Sequence, residues 1–331
     1  MTACHSFETP TFASPVLPIA IGTECSNFVR LHDGRQLDLA QLSNDELTQL
    51  QCEQEPAFAR QIRATTKGSQ VRTDVIRHAY ETVCTILDQM SKRQIAGQTL
   101  SMGMDVRYKR FVLDLLASQR VQGIDGGVFE LGFGAGIFLQ AASEAGHRVG
   151  GLEVSSQLFE ESKSKLPESC HRNLWLGDFC SIDFCEQQSS YSLAYWNDVF
   201  EHVPVDEISD YLQKLCGLLK PGGKLVTITP NWHMRPSDVT VLLKPQRTEA
   251  IGFHLKEYTL GEVRGLLLNA GFQSVHTPFF ISPGRFYYSN FFDMTFLKSQ
   301  LEPLLEYLPV GLAIQMCRRF GFSCTIATKG N

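Results

Sequence analysis

Residues 128–136, reading Val-Phe-Glu-Leu-Gly-Phe-Gly-Ala-Gly, constrain the fold of this chain more than any other stretch. Four residues of a buried-strand run lead straight into three alternating glycines. The apolar-periodic segment 137–145 follows. Glycine lets a backbone turn sharply and approach a ligand with no Cβ in the way. The helix that begins next has N–H groups with no partner in its first turn, and these suit an anionic group. A strand, a tight turn and a helix in that order open an α/β sheet, and the downstream pattern agrees. Residues 148–154, 174–176, 191–196 and 224–229 read as further strands. A helix at 208–219 is ended by Pro221-Gly222-Gly223, a helix at 260–269 is closed by Gly271, and 272–277 and 322–328 supply the last two strands. Alternating strands and helices predict a mostly parallel sheet with helices on both faces.

Upstream the pattern differs. Residues 1–40 carry scattered Pro, Gly, Thr and Ser and read as an irregular arm. Residues 41–124 read as a helical cap, with a helix start at Ser43-Asn44-Asp45, an interruption or kink at Pro56, and helices at 71–91 and 106–118. The domain assignment is therefore arm 1–40, cap 41–124 and α/β domain 125–331, the last with an insertion at about 281–320. Of the 331 residues, 43% are apolar and 20% charged, enough for a large core. The net charge of -5 argues against nucleic acid as a partner, because phosphate binding needs a basic face. The ten cysteines show neither CxxC nor zinc-site spacing, so no metal site is expected, and reduced thiols in a cytoplasmic protein are. The apolar stretch 12–21 holds Pro15 and Pro18 and follows no Lys or Arg, which makes a poor signal peptide. No uncharged apolar run reaches the length of a membrane span.

Two acids follow the glycine loop at informative places. Glu153 ends the second strand about 20 residues on, where a carboxylate accepts from both ribose hydroxyls of a nucleoside. Asp178 follows the third strand in Gly177-Asp178-Phe179, placed to accept from an adenine amino group with Phe179 beside the ring. A dinucleotide is the nearest rival, but its fingerprint wants G-x-G-x-x-G, and the acid Glu130 just before the loop would repel a pyrophosphate. Glu130 suits a ligand with an amino group and a sulfonium. The cofactor these residues favour is S-adenosylmethionine (SAM), with S-adenosylhomocysteine as its product. The binding set is Glu130, Gly132, Gly134, Gly136, Glu153, Asp178, Phe179 and Asn197.

These segments resemble class I SAM-dependent methyltransferases, and among them the ubiquinone-biosynthesis O-methyltransferase-like group. The likeness rests on Glu130, Gly132, Gly134 and Gly136, on Glu153 and Gly177-Asp178, and on the block 197–204 (Asn-Asp-Val-Phe-Glu-His-Val-Pro). It continues through 218–223 with Thr229-Pro230-Asn231, and through 254–259 with Ala270-Gly271-Phe272. It covers about residues 105–280 and implies a Rossmann-like seven-stranded sheet whose last strand is antiparallel. Phe133 departs from the Cys or small residue usual there, and the stretch at about 281–320 is longer than the fold needs.

Methyl transfer is an in-line displacement at a sulfonium carbon, so the protein mainly aligns the nucleophile. An acceptor that carries a proton also needs a base. Candidates are His202, His254 and His233, after the fourth and fifth strands. The expected acceptor is a small molecule, methylated on oxygen. Asn197-Asp198-Val199-Phe200 replaces the Asn/Asp-Pro-Pro-Tyr/Phe motif of enzymes that methylate base amines of DNA. The aromatics Phe286, Tyr287, Tyr288, Phe291, Phe292, Phe296 and Tyr307 either line an acceptor pocket or pack on the N-terminal helices or the second subunit of a homodimer. Arg107, Tyr108 and Arg110 either close over SAM or are solvated. A SAM-binding regulatory or partner protein without catalysis is the alternative function, and a nicotinamide-dependent oxidoreductase a third.

Overall fold

The computed structural model describes residues 28–93, 106–282, 285–287 and 294–330. Residues 1–27, Tyr288, Phe291 and Phe292, and the side chains of Arg107, Phe286 and Tyr287, lie outside that description.

The cap begins earlier than expected. Strands β1 (Phe28–Arg30) and β2 (Gln36–Asp38) pair antiparallel inside the stretch read as irregular. The signal was present in Asp33-Gly34. Gly34 adopts φ +89°, and the Asp33 carboxylate accepts from the Arg35 amide at 3.0 Å, which closes the hairpin. Helix α1 (Asn44–Ala64) opens with a reciprocal Ser43/Glu46 cap and runs through Pro56 without interruption. Both halves of α1 bury apolar side chains in one cluster, Leu47 and Leu50 on one side of the proline and Phe58 and Ile62 on the other. That burial outweighs the single backbone bond the proline removes. Helix α2 (Gln70–Lys92) packs along α1 through Ala79, Val83 and Ile86.

Helix α3 (Val106–Val121), assigned above to the cap, belongs with the sheet. Tyr108, Phe111, Val112, Leu115 and Leu116 pack in one cluster with sheet residues. There follow β3 (Val128–Leu131), α4 (Ile137–Glu144), β4 (Val149–Glu153), α5 (Ser156–Lys165), α6 (Glu168–His171), β5 (Leu174–Leu176) and β6 (Tyr191–Asn197). Then come α7 (Ile208–Leu218), β7 (Leu219–Ile228), α8 (Leu260–Asn269), β8 (Phe272–His276), β9 (Phe279–Ser282), β10 (Arg285–Tyr287), α9 (Met294–Leu301), α10 (Val310–Phe320) and β11 (Cys324–Lys329). Seven strands form one Rossmann-like sheet in the order β5-β4-β3-β6-β7-β11-β8, with β11 antiparallel to both neighbours. Strand β7 starts before Pro221-Gly222-Gly223. A register shift against β6 absorbs these residues as an irregularity within the strand.

The two faces of the sheet follow from the period-2 alternation of strand side chains. In β6, Leu193 and Tyr195 face the cluster built with α3 and α4, while Ala194 and Trp196 face α7 and α8. Every residue of β6 is buried, as befits the central strand of a sheet covered on both sides. The order of strands reverses between β3 and β6, so the chain leaves these two neighbours in opposite directions. Their C-terminal ends open a crevice, which is where open α/β sheets bind ligands. No helix among the described residues is long and apolar enough to cross a membrane.

The described part of the insertion packs on the sheet's far edge and touches α3 through β10. Glu302 accepts from the amides of Leu260 and Gly261 at 2.6 and 3.1 Å and so caps α8, and Lys298 donates to Thr277 Oγ1 and to the Phe320 carbonyl. Its described aromatics, Phe296 and Tyr307, are exposed and do not line the crevice.

Candidate active site beneath the helical cap

A cavity of about 340 Å³ fills the crevice. Its floor comes from the loops after β3, β4, β5 and β6, and its roof from Gln51 and Glu55 of α1 and Ile76, Tyr80, Val83 and Leu87 of α2. Six carboxyl groups line it, Glu55, Glu130, Glu153, Asp178, Asp198 and Asp238, and among the described residues no Lys or Arg does. The ionised members give walls of one sign, and a cation that enters favours ionisation of the others, so this cavity favours positive ligands.

The glycine loop and Glu153 meet. The Gly134 amide donates to Glu153 Oε2 at 2.8 Å, and Glu153 Oε1 accepts from the amides of Val154 and Ser155 at 2.8 and 2.9 Å. Burial raises the Glu153 carboxyl above its ordinary range, and these three amides oppose that shift. Gly132 has φ +70°, and a Cβ there would sit 2.5 Å from Val199 Cγ2, so only glycine lets the β3 and β6 loops close together. Gly136 does a different job from the one expected. It does not line the cavity. Its amide is used by the Phe133 carbonyl, and a Cβ would strike Ser162 at 2.8 Å, so it lets α4 pack on α5. The amides of Gly132 and Phe133 are likewise used, by the Leu152 carbonyl. An anion would therefore meet the first turn of α4 rather than the glycines themselves.

Glu130 is 5% exposed, and its Oε2 has no hydrogen-bond partner among the described residues. Burial, with Glu153 nearby, holds its pKa far above the usual carboxylate range. Asn197 Nδ2 is a second unpartnered polar atom on the cavity wall. Buried polar atoms are rarely left unsatisfied, so both fit a site completed by a ligand. Asp178 is already engaged. It accepts from the Cys180 amide, Ser181 Oγ, Thr73 Oγ1 of α2 and Tyr211 Oη. It ties the cap to the β5 loop, and an adenine amino group would have to share it. Phe179 lines the cavity while its ring is packed in the core.

The three histidines separate. His233 does not line the cavity; its Nδ1 pairs with Glu306 at 2.9 Å, beside the bidentate Arg235–Glu306 contact. His233 is thus engaged away from the cavity that His202 and His254 line. His202 and His254 both line the cavity, with ring centroids 4.9 Å apart. His202 Nδ1 lies 3.0 Å from the Phe253 carbonyl, which can only accept, so the proton sits on Nδ1 and Nε2 carries the lone pair. Burial and the neighbouring His254 push its pKa down to about 3, so the ring is neutral. Burial opposes charge on His254, but its contact with Glu257 and the charges of Glu201 and Asp238 more than offset this and raise its pKa. Glu201, one residue from His202, is raised by burial and by Asp198.

Sequence reasoning missed the roof and the acids behind His254. Tyr80 packs against both Phe253 and His202, at 5.4 and 6.2 Å between centroids. Glu55 accepts from Gln51 Nε2 at 2.7 Å, and burial chiefly, with Asp238 adding to it, pushes its pKa up to about 7. Between pH 4.5 and about 7 the folded chain thus holds a proton on Glu55 that the unfolded chain has lost, so stability falls as pH rises through this window. Glu55→Gln is expected to raise the unfolding free energy at pH 8 by on the order of 3 kcal/mol and to have little effect at pH 4.5. Denaturant unfolding at the two pH values measures this, and an equal effect at both would refute it.

No curated protein sequence matches the chain. Among solved structures, the SAM-dependent methyltransferase of Mesorhizobium loti is 18% identical, with 64% of this chain and 96% of that chain covered and a TM-score of 0.41. The magnesium protoporphyrin IX methyltransferase of Synechocystis with bound S-adenosylhomocysteine is 20% identical, with 65% and 95% covered and a TM-score of 0.43. Human N-acetylserotonin methyltransferase in complex with SAM is 17% identical, with 86% and 68% covered and a TM-score of 0.47. Residues 128–223, which run from β3 into β7 and hold the glycine loop, Glu153, Asp178 and Glu201-His202, match the family model described as a methyltransferase domain.

Proposed function

We propose that the chain binds SAM in this cavity and transfers its methyl group to a small-molecule acceptor, on oxygen. The single observation that carries the reading is the bond between the Gly134 amide and Glu153 within an acid-lined cavity to which no described Lys or Arg contributes. The SAM sulfonium supplies an activated methyl group, so little covalent chemistry falls to the protein. Glu153 accepts the ribose hydroxyls, and Glu130 compensates the ammonium. The first turn of α4 receives the carboxylate of the methionine part, and Asn197 lines the wall beside it. On the cap side, Tyr80 and Phe253 form an apolar wall for the acceptor, and the roof of α1 and α2 excludes water. His202, neutral and with Nε2 as its lone-pair nitrogen, and His254 face the acceptor and hold its reacting oxygen in place. Positioning of this kind can supply roughly 7–11 kcal/mol of the barrier.

SAM and its demethylated product are expected to raise the melting temperature and NAD is not, and labelled SAM is expected to methylate a component of a metabolite extract. Stabilisation by NAD alone would overturn the reading, and SAM binding with no transfer to any acceptor would favour the regulatory alternative. Glu153→Ala is expected to weaken SAM by about 1–3 kcal/mol through lost charge-assisted hydrogen bonds. An unchanged Kd in calorimetry would remove Glu153 from the site.

A further inference from the structure

We propose that Glu201, His202 and His254 bind one divalent first-row transition-metal cation, and that its remaining coordination positions take an oxygen-chelating acceptor; the acceptor half of this inference rests on the function proposed above. Their ligand atoms all lie within 4.8 Å of one another. An ion with bonds of about 2.1 Å at the centre of such a triangle needs each ligand to move inward by less than about 1 Å.

Three observations single out this cluster from other acidic surfaces. First, Glu201 is 0% exposed, and neither of its carboxylate oxygens has a hydrogen-bond partner among the described residues. His254 Nε2 lies 3.9 Å from Glu201 Oε1, too far for a hydrogen bond. Thr229 and the Glu201 amide approach this carboxylate without hydrogen-bonding geometry, so a cation would compensate it.

Second, each imidazole is oriented through its other nitrogen. His202 Nδ1 donates to the Phe253 carbonyl at 3.0 Å. His254 Nδ1 is held by Glu257 Oε1 and Ser237 Oγ, both at 3.3 Å. Glu257 is fixed in turn by the Ser237 hydroxyl and by the Ser237 amide at 2.8 Å. Both Nε2 atoms are thereby left for the ion. Metal-binding histidines are held in this way, with a carbonyl or carboxylate on the far nitrogen.

Third, the cluster borders the cavity through its two histidines. His202 and His254 line the cavity, whereas Glu201 lies behind them. Three protein ligands leave positions for small molecules, and those positions face the acceptor end. Two imidazoles and a carboxylate suit zinc, iron(II) or manganese(II) better than magnesium or calcium. An acceptor with two adjacent oxygens, such as vicinal hydroxyls, would occupy the open positions and have the oxygen to be methylated fixed in place. The cluster escaped the sequence because its third ligand is far along the chain, in the loop before α8 that α1 and α2 cover.

The test uses the full chain, stripped with a chelator and titrated with Zn²⁺ by calorimetry and with Co²⁺ by absorption, while SAM binding is followed separately. One Zn²⁺ per chain is expected. Glu201→Gln and His254→Asn should each weaken it by at least about 100-fold, and Glu257→Gln by about 10- to 100-fold. Retained SAM binding shows that a variant is folded. Where a variant does not fold, the Co²⁺-loaded wild type decides: two paramagnetically shifted imidazole N–H signals are expected, one from each Nδ1. Saturable SAM binding with no saturable Zn²⁺ or Co²⁺ site, undiminished metal affinity in folded variants, or the absence of shifted imidazole signals would each overturn the metal site. Metal binding without SAM binding would leave the site standing and overturn the function.

Discussion

Gly134→Asp is expected to abolish SAM binding while leaving the chain folded. Gly134 stands at φ +53°, a left-handed conformation that Asp tolerates better than most residues, at a cost of about 1–2 kcal/mol. A Cβ built there meets no atom within 4 Å, so protein packing does not oppose the change. The open space in question is the cavity itself, which Gly134 lines. The new carboxylate would project beside Glu153, whose Oε2 is bonded to the Gly134 amide, and toward the mouth of α4, where the carboxylate of the ligand is proposed to sit. Steric exclusion and like-charge repulsion act together, and a loss of at least about 100-fold in affinity corresponds to roughly 2.7 kcal/mol. Gly134→Ala separates the two effects, since it adds bulk without charge and should lose less. Calorimetric titration with SAM and its demethylated product measures both variants, with circular dichroism confirming the fold. An aspartate variant that binds within about threefold of the wild type would remove the loop from the binding site.

The α/β half of this architecture was legible because its signals are local. The run Val128–Leu131 followed by alternating glycines marks a strand and a turn whatever surrounds it, and the strand at 174–176 and helix at 260–269 have the bounds read from sequence. Legibility failed where tertiary packing decides. Pro56 reads as an interruption or a kink, and buried side chains on both sides keep α1 continuous across it. Helix α3 looks like its predecessors in sequence, and only the cluster it joins assigns it to the sheet. For the site, Glu130, Gly134, Glu153 and Asn197 line one cavity, while Gly136 and His233 make packing and ion-pair contacts that residue type alone does not reveal. The roof residues Glu55 and Tyr80 leave no motif at all. They reach the cavity only because α1 and α2 fold back over the crevice, a long-range event that no window of the sequence encodes.

The attachment of that roof rests heavily on Arg72, and Arg72→Ala is expected to cost roughly 3 kcal/mol of stability and to loosen the cap. The guanidinium lies on α2 and bonds Asp206 at 2.7 Å and Glu207 at 2.8 Å, at the start of α7, as well as the Thr65 hydroxyl at 3.0 Å and the Thr65 carbonyl. The side chains of Arg72 and Glu207 are only 5% and 6% exposed, so this pair is buried, whereas Asp206 is half exposed and contributes little. Breaking a buried pair costs about 3–5 kcal/mol, because the remaining charge loses its compensation. Glu207 would keep only the Gly68 amide, at 3.1 Å. Thr73, next to Arg72, carries the bond to Asp178, so loosening this end of α2 also disturbs the β5 loop at the cavity edge. The variant should therefore show a lower melting temperature, faster SAM release and earlier proteolysis between α1 and α2. The double substitution Arg72→Met with Glu207→Leu should recover much of the lost stability, since no buried charge is then left unpaired. Denaturant unfolding of the two singles and the double forms a complete cycle. A coupling near zero would show that the cap is held by its apolar contacts alone, and that the Arg72–Glu207 pair merely accompanies them.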